Sequence, residues 1–188
     1  MSSPSLANAL IITLLLFMTT MCVGWIGSGQ NPEVGTQLLS LFEKEVAGQL
    51  SGGNPSDMAM KLFVNNLEAC ILLFLGGASF GIFTIFIMSL NGIVIGAIME
   101  IVSKEHTALF VAAALIPHGI FEIPAFIISG ALGILLAQAL IAEWYGEGDT
   151  GSAALHLARL FILYVLPLVA IAASVEAFIT PVVIHLVA

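Results

Sequence analysis

The 188-residue chain is 60% hydrophobic and only 9% charged, with a mean hydropathy of +1.12, whereas an ordinary soluble domain carries roughly a quarter charged residues. That much apolar surface excludes a water-soluble fold of this size, and a formal net charge of −8 argues against nucleic acid and against electrostatic docking on anionic lipid. What remains is one membrane domain over residues 1–188, with the lipid bilayer as its solvent.

Residues 1–27 read as an N-terminal anchor helix. The apolar run from Leu6 to Ile26 carries Trp25 at headgroup level and lacks the basic start and small-residue cleavage site of a signal peptide. Residues 28–61 form a polar loop. Its turn clusters, Gln30-Asn31-Pro32 and Ser51-Gly52-Gly53-Asn54-Pro55, bracket Leu38, Phe42, Val46 and Leu50 at four-residue spacing, the pattern of an amphipathic interfacial helix.

Residues 62–188 supply the remaining membrane helices. Ser56 or Asp57 is placed to cap a second segment that enters near Leu62 and continues to about Leu90. Asn91-Gly92 predicts a tight turn. The third segment, resuming at Ile93, is interrupted by Glu100 and by Ser103-Lys104-Glu105-His106 and resumes from Thr107 to Ile116, so it is expected to be broken or re-entrant. Pro117 suits the first turn of a fourth segment that runs to about Glu143 and ends on Trp144-Tyr145. After the acidic loop Gly146–Ser152, a fifth segment from about Leu155 to Val187 exceeds one bilayer crossing, and Pro167 and Pro181 are expected to bend or divide it. The fold class is all-α, a polytopic domain of about five membrane segments. Lys44, Lys61 and Lys104 flank segments two and three, which favours a cytoplasmic Gly27–Lys61 region.

Glu68, Glu100, His118, Glu122 and Glu176 lie in or at the edge of apolar segments that hold no central Lys or Arg. An ionised side chain near the bilayer centre costs at least about 2.5–3.5 kcal/mol, so such residues need a partner, a proton or a cation. His118 and Glu122 are one helical turn apart on one face and can converge on a ligand. Glu176 sits among small residues that let another helix approach. With Asn65 or Asn66 as additional donors, these residues form a candidate metal or proton site, and one His with carboxylates suits zinc first among divalent ions. The same residues also fit a neutral hydrogen-bonded network between helices. Glu68 is expected to snorkel to the headgroups, and Glu100 to face water at the polar break.

Gly77-Ala78-Ser79-Phe80-Gly81 matches the GxSxG nucleophile pattern without the strand-to-helix turn that pattern needs. Read as lying within a helix, Gly77 and Gly81 make a small-residue packing stripe, as do Gly92 and Gly96, and such faces predict a homo-oligomer, a dimer. The HExxH pattern is absent, which disfavours a metal-dependent hydrolase within the membrane. Cys22 and Cys70 stand alone in apolar runs and read as core.

Asn65-Asn66, Gly77-Ala78-Ser79-Phe80-Gly81, Asn91-Gly92 with Gly96, the HGxxExPA block from Pro117 to Ala125 and the EAFxTP block from Glu176 to Pro181 follow one another in a known order. In these blocks the chain resembles the stage II sporulation protein M family, also known as DUF95. The resemblance implies a multi-pass plasma-membrane protein, and in the sporulation member action in engulfment beside peptidoglycan-degrading partners. Three functions follow as expectations: a non-enzymatic scaffold of cell-envelope or membrane-remodelling machinery with other envelope proteins as partners; a proton- or cation-coupled transporter or channel using the acidic cluster; and an intramembrane hydrolase.

Overall fold

The computed structural model describes residues 5–31, 33, 35–37, 40, 54–105 and 107–187; of residues 105, 108–115, 118, 184, 185 and 187 only the backbone is described. The described elements, in order, are α1 (Leu6–Gln30), α2 (Pro55–Leu75), a 3-10 turn (Gly76–Ser79), α3 (Ile82–Glu105), α4 (Ala108–Trp144), α5 (Thr150–Leu160), a π turn (Phe161–Val165), α6 (Leu166–Phe178) and α7 (Thr180–Val187). Among the described residues, five stretches are long and apolar enough to cross a membrane: Leu6–Gln30, Pro55–Ser79, Ile82–Lys104, Gly119–Trp144 and Thr150–Phe178. The fold is all-α, with no strand among the described residues.

Helix α1 begins where Ser5 Oγ accepts the Asn8 amide at 3.2 Å, the usual way a hydroxyl satisfies an orphan donor of the first turn. Its large aliphatic side chains, among them Ile11, Leu15 and Ile26, face outward, while Ala9, Thr13, Gly24 and Ser28 face inward around Phe17. Hydrocarbon gives no reason to bury large apolar groups, so the inner face is set by close approach and by hydroxyls that reach another helix. Thr13 Oγ1 donates to Ile127 O of α4 at 3.2 Å, and Thr84 Oγ1 donates from α3 to Leu73 O of α2 at 2.9 Å.

Helices α1 and α3 run parallel with their backbones nearly touching. A Cβ added at Gly24 would collide with Ile93 O, one at Gly92 with Thr20 Oγ1, and one at Gly96 with Met21 O, while Gly29 lies beside Glu100. Gly77 meets the backbone of Gly133 in α4 in the same way. The glycine faces expected to hold two copies together are therefore occupied inside one chain.

Helix α4 is the hub, packing against α1, α2, α3, α5, α6 and α7. On one side Phe17, Leu73, Met88, Phe126 and Ile127 form a core with α1, α2 and α3. On the other, Cys70, Phe74, Leu132, Leu136, Phe161, Val165 and Val169 join α2 to α5 and α6.

The path between Leu62 and Ile116 differs from the expected one. Segment two ends at Leu75, and the chain reverses through the 3-10 turn with Phe80 at φ 55 and Gly81 at φ +85, the left-handed region that glycine enters without penalty. Ser79 Oγ donates to Gly76 O at 2.6 Å and accepts the Phe83 amide at 2.9 Å, so it caps the start of α3. The GxSxG segment is a helix-to-helix turn and not the middle of a helix. Asn91-Gly92 makes no turn, because Asn91 Nδ2 donates to Ile87 O at 2.8 Å within α3 and Gly92 seats α1. Segment three is consequently one continuous helix, neither broken nor re-entrant. The polar break near His106 separates α3 from α4 and does not split a segment.

Pro117 lies inside α4 with Pro124, not at its first turn. The N-cap of α2 is Asn54, whose Oδ1 accepts the Ser56 amide at 3.5 Å, with Pro55 at the first helical position. Pro167 follows the π turn, and Pro181 lies in the first turn of α7 beyond the break at Ile179. The interfacial helix expected around Leu38, Phe42, Val46 and Leu50 falls outside the described residues.

Candidate functional site

Asn66 is buried near the middle of α2, and its Nδ2 donates to Glu122 Oε2 of α4 at 3.1 Å. Glu122 is half-buried, one and a half turns after Pro117. Cys70, one turn beyond Asn66 and fully buried, lies beside Ser129, two turns beyond Glu122. Two parallel helices, α2 and α4, thus share a polar seam that leads into a dry core.

Glu176 has a different setting. It lies in the last turn of α6, and its Oε2 accepts from Thr180 Oγ1 at 3.1 Å, so it ties α6 to α7 across the break. Thr180 is buried. Sequence reasoning missed this hydroxyl, although its place four residues after Glu176 in the EAFxTP block was the available signal.

The structure therefore brings Asn66 to Glu122 and Thr180 to Glu176. Asn65 is exposed on α2 and takes no part. Of His118, the α4 backbone is described one turn before Glu122, and its side chain lies outside the described residues. Among the described residues no group of three or more His, Cys, Asp and Glu side chains is placed to hold a metal ion.

A further carboxylate departs from expectation. Glu100, expected to be wet, is buried against Gly29 of α1; its Oε1 pairs with Lys104 Nζ at 2.7 Å, and its Oε2 has no hydrogen-bond partner among the described residues. Ser28 Oγ, one residue from Gly29, is likewise buried and unpartnered. A Cβ at Gly29 would stand 3.3 Å from Glu100 Oε1, so glycine there makes room for the carboxylate. Glu68, expected to snorkel, is exposed on the outer face of α2.

A family model described as "Stage II sporulation protein M" matches residues 13–181. The chain belongs to the stage II sporulation protein M family. The match takes in the Asn66–Glu122 seam and the Glu176–Thr180 tie of this family member. An uncharacterised protein of Methanocaldococcus jannaschii is 26% identical over 176 residues, 92% of this chain and 93% of the relative. A second uncharacterised protein of the same organism is 29% identical over 110 residues, 57% of this chain and 48% of that protein. No solved structure matches this stage II sporulation protein M family chain.

Proposed function

We propose that this membrane protein is a non-enzymatic, plasma-membrane scaffold of cell-envelope or membrane-remodelling machinery, in which the inward polar groups hold helices together and turn over no substrate. The observation that carries the reading is the Asn66–Glu122 hydrogen bond, which uses a membrane carboxylate to join two helices. The cross-helix hydroxyl bonds of Thr13 and Thr84 and the glycine contacts of α1 with α3 support the same use of polar and small residues. Family membership supports the envelope setting. A zinc ion held by His118 and Glu122, with Glu176 within the same bundle, is an addition to this reading that would strengthen the tie.

The test is Glu122→Gln in the purified protein and in cells. Glutamine keeps an acceptor for Asn66, so the scaffold reading expects thermal stability within about 1 kcal/mol of wild type and full complementation of an envelope phenotype. Elemental analysis before and after His118→Ala decides the metal. The second reading, a proton- or cation-coupled transporter, is favoured by the unpartnered oxygen of Glu100. It requires cation- or proton-dependent flux into liposomes, abolished by Glu122→Gln or Glu100→Gln while the fold survives; such flux would overturn the scaffold.

A further inference from the structure

The turn between α2 and α3 and the carboxyl end of α4 meet at one end of the bundle. There Phe80 and Trp144 pack edge to face, with ring centroids 6.4 Å apart. Together with Tyr145 and Ile141 they line a cavity of about 330 Å³, within the range of small-ligand sites, about 300–1,000 Å³. All three rings are exposed. Trp144 and Tyr145 alone would be an ordinary pair of interfacial aromatics. Phe80 is a different case: it reaches Trp144 from the α2–α3 turn with φ 55, in the left-handed region that a residue with a Cβ disfavours. The turn thus holds a phenyl ring in an unfavourable conformation, and that ring walls the cavity.

The electrostatics of this end favour a cation. Aromatic faces present the negative side of their quadrupole, the last carbonyls of α4 carry partial negative charge, and Glu143, Glu147 and Asp149 flank or follow the two α4 rings. Glu143 Oε2 and Asp149 Oδ1 accept the Thr150 and Ser152 amides at 3.3 and 3.2 Å. Glu147 is the exposed carboxylate between them. No Lys or Arg occurs between Lys104 and Arg159.

We infer that this cavity binds the alkylammonium headgroup of a membrane lipid. A cation set against aromatic faces is the arrangement by which proteins recognise organic ammonium groups. A metal ion needs a shell of oxygen ligands, whereas this lining is mainly ring carbon and isoleucine. An anionic headgroup would meet like charge. Lipid is the source because two membrane-crossing stretches, Pro55–Ser79 and Gly119–Trp144, end at the cavity, which puts it at headgroup depth. Phe80, Trp144 and Tyr145 take the ammonium group, and Glu147 balances its charge from the water side. The inference is independent of the scaffold reading, since a transporter would present the same cavity.

The experiment releases the full chain from nanodiscs of equal phosphatidylethanolamine and phosphatidylglycerol and counts the retained lipids by native mass spectrometry. Wild type is expected to keep the ethanolamine lipid over the glycerol lipid by at least about threefold. Phe80→Leu and Tyr145→Leu are expected to bring that ratio close to one, and Trp25→Leu, at the other end of the bundle, to leave it unchanged. Glu147→Gln, on an exposed turn where the fold is safe, is expected to lower it as well. Equal retention in wild type would overturn the inference, as would a preference that survives Tyr145→Leu and Glu147→Gln together. In a Trp25→Phe background Trp144 is the single tryptophan. Quenching of its fluorescence by tetramethylammonium without any lipid preference would assign the cavity to a soluble ammonium compound and overturn the lipid. A photoreactive benzoylphenylalanine at position 145 is expected to link lipid in cells; linking only to another protein would equally overturn it.

Discussion

Glu122 tolerates its position because Asn66 offers it an N–H, and the consequence can be measured on either side of the bond. Asn66→Leu removes a donor to a carboxylate while keeping an apolar side chain of similar size, and it is expected to lower stability by about 1.5–3 kcal/mol in thermal or denaturant unfolding of the detergent-solubilised protein. Unchanged stability would show that Glu122 is held by other groups. Polar residues within apolar runs were legible from sequence alone, since Glu122, Glu176 and Asn66 all stand out there. Their partners were less so. Thr180 was one turn from Glu176 and could have been read; the burial of Glu100 could not, because it depends on Gly29 arriving beside it from a helix 70 residues away.

At the scale of helices, the five spans were legible because length and hydropathy suffice to define them. The boundary between the second and third was not. Residues 62–90 are almost uniformly apolar, so the reversal at Phe80-Gly81 is marked only by a run of small residues, whereas Asn91-Gly92 carries the stronger turn signal and yet lies within a helix. Tertiary contact decided the matter: Gly92 is needed where α1 crosses. Gly92→Ala would press a methyl group into Thr20 and the Phe17 carbonyl and is expected to cost about 1–3 kcal/mol. Gly27→Ala, with nothing within 4 Å of the added Cβ, is expected to be neutral or stabilising by up to about 1 kcal/mol. Comparing the two thermal midpoints checks whether the α1–α3 contact or generic helix propensity governs the response.

For the whole molecule, the alternating helix directions put the ends of α1 and α3 and the starts of α2 and α4 on one face, together with Lys61 and Lys104. The turn between α4 and α5, on the opposite face, carries Glu147 and Asp149 and no basic residue. The bias of basic residues toward the cytoplasm predicts that the first face is the inner one. In a Cys22→Ser background, a cysteine at Ser56 is expected to be protected from an impermeant maleimide in intact cells, and one at Glu147 to be labelled. The reverse pattern would invert the topology.

The compact reversal at Gly76–Gly81 also bears on how the protein is made. Between Glu68 and Glu100 the chain has no charged residue, so α2 and α3 can leave the translocon as one preformed hairpin that drags nothing hydrophilic through oil. The α4–α5 pair has no such shortcut, because Glu143, Glu147 and Asp149 lie at the connection between its two helices.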